Sequence, residues 1–184
     1  MKFVPQVIPD IVLIEPTLHG DDRGYFSETF RQDLFNEAIG RDINFIQDNE
    51  SKSSKGVLRG LHYQVAPFSQ SKLLKVIEGA VLDVVVDIRK SSSTFGQHLA
   101  IELSADNKYQ LFVPKGFAHG FIVLSDAATF TYKVDSFYAP EYERGLAFND
   151  QNLKIDWQLK PEFFKLSSKD LNHPNFTNAQ DFFD

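Results

Sequence analysis

Between residues 43 and 134 the chain alternates apolar and polar positions in short runs, each closed by turn-forming residues. A period of two over four to eight residues is the pattern of a half-buried strand, and it excludes most helical folds. The runs fall at 43–50, 57–64, 72–77, 80–88, 97–103, 109–113, 119–124 and 127–134, with "EGA" at 78–80, "SADN" at 104–107 and "SDAA" at 125–128 as breaks. Upstream, "IVLIEPTL" reads as extended and passes through the turn "HGDDRG" into "YFSETF". One stretch differs. In "RQDLFNEAIG", Leu34, Phe35 and Ala38 share a helical face, and Gly40 stands where a helix would end. After residue 150 the chain is more polar, with room for one or two short helices. Many short strands with little helix between them predict an antiparallel sandwich or barrel.

The length, 184 residues, with no repeat, low-complexity segment or linker-like shift in composition, predicts a single domain over 1–184. Eighteen phenylalanines supply bulk for a sheet-built core that needs no covalent staple. The absence of cysteine excludes disulfides, thiolate metal sites and a cysteine nucleophile. The N-terminus "MKFVPQVIPD" lacks the apolar stretch of a signal peptide. The longest apolar run, "AVLDVVVDI", is interrupted by Asp83 and Asp87 and is too short for a membrane span. Together these predict a cytoplasmic protein with no membrane association. The net charge of −6 argues against a nucleic-acid partner, because phosphate-backbone affinity needs a basic surface. Against that acidic background, Lys52, Lys55, Arg59, Lys72 and Lys75 lie close in sequence. They form either a solvated basic face or a pocket for a small anion such as a diphosphate.

Chemistry concentrates in two segments. The first is "KGVLRGLHYQ", residues 55–64. Strict alternation sets its Arg59 and His62 on opposite faces, and Gly60 is a candidate bulge that would re-aim one of them. The second is "VPKGFAHGF", residues 113–121, whose Pro-x-Gly-x-x-His spacing resembles the second half of the cupin signature. The first half of that signature supplies two histidines and a glutamate to a metal. Here "GLHYQ" offers His62, with Gln64 in place of the second histidine and no nearby glutamate. His62 and His119 fall short of the three or four protein ligands a transition metal takes, so no metal site is expected.

In "ATFTYKV", alternation puts Ala128, Phe130, Tyr132 and Val134 on one apolar face, which points Tyr132 inward. On that strand alone, a core tyrosine bonded to the backbone is the favoured reading. Were His62, Lys72 and Tyr132 to converge in one barrel, they would supply a base, a partner for a developing oxyanion, and an acid. That set suits proton abstraction beside a carbonyl. The bland alternative pairs Arg59, His62 and Lys72 with Asp83, Asp87, Glu78 or Glu102 and needs no ligand. From the residues alone the two readings stand level.

Six ordered blocks shift that balance: "HGDDRGYFSETF", "FIQDNESKSSKGVLRGLHYQ", "SKLLKVIEGAVLDVVVDIRKSSSTFGQ", "VPKGFAHGFIVLS", "YKVDSFYAPEYERGLAFND" and "SSKD". From about residue 10 to 170 they resemble the dTDP-4-dehydrorhamnose 3,5-epimerase family. The resemblance implies an all-β, cupin-type jelly-roll barrel with a few short peripheral helices. It further implies a homodimer that acts without cofactor on a dTDP-4-keto-6-deoxy sugar, inverting C3 and C5. By that resemblance His62 is the base that removes the protons at C5 and C3, Asp170 orients it and stabilises its charged form, Lys72 meets the enolate oxygen, and Tyr132 returns a proton to C5 from the opposite face. Tyr138 stacks on the thymine. Arg23, Glu28, Gln47, Asp48, Asn49, Arg59, Lys72, His119, Glu143 and Lys169 match substrate-binding positions. Enzymes that invert one carbon, or move a ketone between C3 and C4, share this barrel and are the alternatives, with a metal-dependent cupin enzyme as a third.

Overall fold

Alternating side chains and frequent turns leave the chain little choice but to stack short antiparallel strands, and the computed structural model, which describes residues 1–184, does so. In chain order the strands are β1 (Lys2–Pro5), β2 (Val12–Glu15), β3 (His19–Asp21) and β4 (Gly24–Phe26). Helix α1 (Gln32–Ile39) follows, then β5 (Gln47–Ser54), β6 (Leu58–Gln64), β7 (Lys72–Glu78), β8 (Ala80–Asp87) and β9 (His98–Ser104). The last are β10 (Gln110–Val113), β11 (Phe117–Val123), β12 (Ala127–Val134) and β13 (Glu143–Gly145). One sheet has the order β1-β2-β10-β7-β12-β5 and the other β13-β6-β11-β8-β9, while β3 and β4 form a separate hairpin. The two larger sheets face one another as a jelly roll, and the only other helical pieces are single 3₁₀ turns.

The core follows from strand parity. Leu74 and Val76 of β7, Phe130 of β12, Val81 and Val85 of β8, and Phe117 and Phe121 of β11 fill the space between the sheets. Fully burying each such side chain contributes about 1.5–3 kcal/mol. Phe121 and Phe130, one from each sheet, stack with centroids 4.6 Å apart and close the interior below the cavity described next. The outer face of the second sheet is covered by the C-terminal segment through Leu153 and Trp157. The outer face of the first is covered by α1, whose Phe35 packs on Phe112.

The helix ends as its sequence predicts. Gly40 takes the left-handed conformation (φ 68°) and its N–H caps the Asn36 carbonyl. The strand expected at 43–50 starts instead at Gln47 and runs to Ser54, paired residue for residue with β12. Its apolar start belongs elsewhere: Ile43 and Phe45 pack beneath α1. The strand itself, "QDNESKSS", is polar because it is an edge. No helix is long and apolar enough to cross a membrane.

Candidate active site

The site starts with a glycine. Between β6 and β11 the register pairs His62 with His119 and Arg59 with Phe121, so three steps on β6 span two on β11. The extra residue lies at Gly60, where φ is 124°, in the region that favours glycine. A Cβ there would stand 2.5 Å from the Gly120 Cα. The bulge reverses the parity that strict alternation demands. Leu58, Leu61 and Tyr63 pack on the outer face, whereas Arg59 and His62 both line the interior cavity.

That cavity holds about 570 Å³ and opens between the sheets. Its walls bring together Arg59 and His62 from β6, Lys72 from β7, His119 from β11 and Tyr132 from β12, with Lys169 and Asp170 from the C-terminal segment. His62 and His119 therefore come from one sheet, Lys72 and Tyr132 from the other.

His62 Nε2 lies 2.6 Å from Asp170 Oδ1. Asp170 is buried, and Ser167 Oγ donates to its other oxygen at 2.6 Å while the Gly60 N–H reaches Oδ1 at 3.4 Å. Burial opposes the charge of this carboxyl, but the hydrogen bonds from His62 and Ser167 outweigh it and hold the group at about 2. An anion at Oδ1 only accepts, so the His62 proton sits on Nε2 and the lone pair on Nδ1 is left for the cavity.

Lys72 is largely surrounded by protein. Burial pulls its ammonium down to about 8, against the opposing influence of Asp83 and Glu143. His119 Nε2 meets Asp83 Oδ2 at 2.8 Å, both groups buried. Burial lowers the His119 pKa, Asp83 works against that, and the neighbouring Lys72 and His62 add to it. Tyr132 is half-buried on the cavity wall, not a core tyrosine bonded to backbone. Burial raises its pKa, Glu143 adds to that and Arg59 opposes it, so the phenol keeps its proton at neutral pH.

At the rim, the exposed Tyr138 donates its hydroxyl to Glu143 Oε2 at 2.6 Å, and Lys169 pairs with the same oxygen. Gln47 and Asn49 are joined at 2.8 Å and sit half-buried on β5, on the same side of the strand as cavity-lining Ser51. Asp48 points the other way and pairs with Lys133 at 2.9 Å. Arg23 and Glu28 do not reach this cavity. Arg23 lies on the exposed β3–β4 hairpin, tied to Asp21, and Glu28 is exposed just beyond it.

The basic cluster read from the sequence divides. Lys52 pairs with Glu78 at 2.8 Å outside the barrel, Lys55 is exposed, and Lys75 borders a separate hollow. Of the four carboxylates weighed as structural partners, Glu78 and Asp87 serve Lys52 and Arg89 instead, and Asp83 serves His119. The role of Asp83 was within reach of parity alone, since it shares a face of "AVLDVVVD" with Val81 and Val85. His62, Asp170 and His173 offer three metal-ligating atoms within 4.8 Å of one another, but the first two already close on each other as a hydrogen bond.

Fold and cavity together define a cupin-type jelly roll with a polar, histidine-lined cavity between its sheets. The dTDP-4-dehydrorhamnose 3,5-epimerase family matches residues 5–178. A dTDP-4-dehydrorhamnose 3,5-epimerase of Shigella flexneri is 51% identical over 99% of both chains. The crystal structure of the corresponding Elizabethkingia anophelis enzyme superposes with a TM-score of 0.95 at 49% identity, covering 99% of each chain. A Legionella pneumophila 3,5-epimerase solved in complex with dTDP-4-keto-L-rhamnose gives a TM-score of 0.93 at 45% identity, over 97% of this chain and 94% of that one. This chain belongs to the dTDP-4-dehydrorhamnose 3,5-epimerase family and is an isomerase.

Proposed function

We propose that the protein inverts C3 and C5 of dTDP-4-dehydro-6-deoxy-D-glucose to give dTDP-4-dehydro-L-rhamnose, without a cofactor. The observation that carries this is the facing of His62 and Tyr132 from opposite sheets across one cavity, with Lys72 on its wall. A base and an acid on opposite sides of a sugar carbon invert it. His62 Nδ1 takes the proton beside the C4 ketone, and Asp170 stabilises the resulting imidazolium. The C–H electron pair moves into an enolate whose oxygen meets the Lys72 ammonium. The Tyr132 hydroxyl then delivers a proton to the other face of the carbon. Solvent re-protonates the phenolate and relieves the imidazolium, which readies both groups for the second carbon.

The nucleotide end lies toward the rim. Arg59 provides the fork of donors that suits a diphosphate, with His119 and Lys169 nearby, and the exposed ring of Tyr138 offers a stacking face for the thymine. Glu143 holds Tyr138 and Lys169 in place, and Gln47 and Asn49 flank the sugar nucleotide from β5, whereas Asp48 is turned to the outer face against Lys133. Arg23 and Glu28, stranded on an arm that exposes Tyr25 and Phe26, find a use if that arm reaches a second copy of the chain. This supports a homodimer, and light scattering should return twice the chain mass. The protein is read as cytoplasmic, with a sugar nucleotide as its partner and neither nucleic acid nor membrane.

Incubation with the keto-sugar in D₂O, followed by NMR, tests the reading. Wild type should place deuterium at both C3 and C5 and yield the L-sugar. Tyr132→Phe should still exchange the C5 proton while inversion there lags behind. Untouched epimerisation by that variant would remove Tyr132 as the acid. Deuterium at a single carbon, or a ketone moved to C3, would assign the chain to a different reaction of the same barrel.

A further inference from the structure

Beyond Asp170 lies a histidine that the mechanism does not use. The ring of His173 occupies the space where a side chain on Gly145 would project, since a Cβ there would stand 2.4–2.6 Å from Cε1, Nε2 and Cδ2 of the imidazole. Gly145 pairs directly with His62 across β13 and β6, and His62 pairs with His119 across β6 and β11. The sheet thus sets three imidazoles in one row, His119 and His62 on the cavity wall and His173 behind them, borrowed from the C-terminal segment through a glycine notch. His173 and His62 meet edge to face, with centroids 5.3 Å apart and planes at 75°.

The nitrogen is the informative atom. His173 Nε2 is buried and has no hydrogen-bond partner. It lies 3.8 Å from Asp170 Oδ1, the oxygen that His62 Nε2 already contacts at 2.6 Å. Packing alone would be served better by an apolar ring, because an unpaired buried polar group costs about 1–3 kcal/mol. A shift of about 1 Å would bring Nε2–H into hydrogen-bond range of Oδ1. We propose that His173 is a positioning residue that shares the Asp170 carboxylate with His62 and so limits how tightly the dyad holds a proton. This rests on the reading of His62 as the base. A base that acts twice on each substrate must release its proton as readily as it takes one, and a buried carboxylate with one fewer donor beside Oδ1 would hold that proton more tightly.

The groups facing this pair are few. Asp170, Glu143 and Lys169 surround His173, and His119 flanks His62 on the other side. Burial, with the neighbouring His62, lowers the His173 pKa against the pull of Asp170, which keeps it a neutral donor. Removing that nitrogen leaves Asp170 Oδ1 to His62 and the more distant Gly60 N–H, so the His62 ring should keep its proton to higher pH than in the wild type.

The test compares wild type with His173→Phe, which refills the notch without a nitrogen, and His173→Gln, which restores an N–H donor. Two readouts are taken: the NMR titration of the His62 ring, and the acid limb of kcat/KM for C5 exchange. Phe should move both to higher pH by roughly half a unit to one unit, a three- to tenfold loss of rate below the limb. Gln should return both toward wild type. An unmoved His62 titration in a folded Phe variant, or a Gln variant indistinguishable from Phe, overturns the proposal. A shifted titration with an unmoved kinetic limb upholds the coupling and instead removes His62 as the base.

Discussion

His62→Asn should abolish measurable deuterium uptake at C3 and C5 alike, because in the proposed mechanism one imidazole serves both abstractions. General-base catalysis contributes on the order of 10²–10⁴ in rate, and no other neutral base lies at hydrogen-bond distance from Asp170 to replace it. The fold should survive. His62 is 26% exposed, and Asp170 keeps its bonds from Ser167 and the Gly60 N–H. The variant should therefore still bind thymidine diphosphate while exchanging nothing. Uptake at normal rates in a folded variant would refute the assignment. Asp170, held at about 2, stays charged far below neutral pH and therefore does not itself set an acid limb there.

Lys72→Met should cut turnover by about 10²–10³, the usual cost of roughly 2.7–4 kcal/mol for losing one oxyanion donor. The pH dependence supplies a second signature. Burial lowers the Lys72 ammonium to about 8, so the charge proposed to meet the enolate oxygen is present below that pH and lost as pH rises through it. Wild-type activity should fall on the alkaline side near 8, and the residual activity of the Met variant should lack that limb. Stability should move the other way. A lysine depressed from 10.5 to about 8 on folding is charged in both states at neutral pH, and the cost of burying that charge weakens the fold there. Methionine removes that charge at nearly the same volume, and Asp83 retains its bond to His119. The melting temperature should hold or rise while activity collapses, as expected where a site is kept strained for function. Wild-type turnover in the Met variant would end the oxyanion role.

How much of this could be read from the letters differs from element to element. The helix at 32–39 and its Gly40 terminus were legible because both depend on local periodicity and a single left-handed residue. The inward course of Phe130, Tyr132 and Val134 was legible because parity in β12 is unbroken on its cavity half. The strand at 47–54 was misplaced by four residues, because an edge strand carries polar residues on both faces and the apolar stretch before it serves the helix. The joint placement of Arg59 and His62 could only be posed as a question at Gly60. A bulge is a relation between two strands, and one strand's sequence does not contain it.

Asp170 shows the limit most clearly. It lies 108 residues from His62, on a 3₁₀ turn with no strand period to aim it, and only the resemblance of "SSKD" to a known family pointed there. His173 gave no signal at all. Its importance comes from a missing side chain at Gly145, a residue in a different element. Local chemistry, meaning side-chain period, turn residues and the supply of imidazole, phenol and ammonium, belongs to the order of residues, because it depends on neighbours along the chain. Which of those groups share one cavity, and which carboxylate stands behind which ring, depends on distances across strands. Those distances exist only once the sheets have closed on each other.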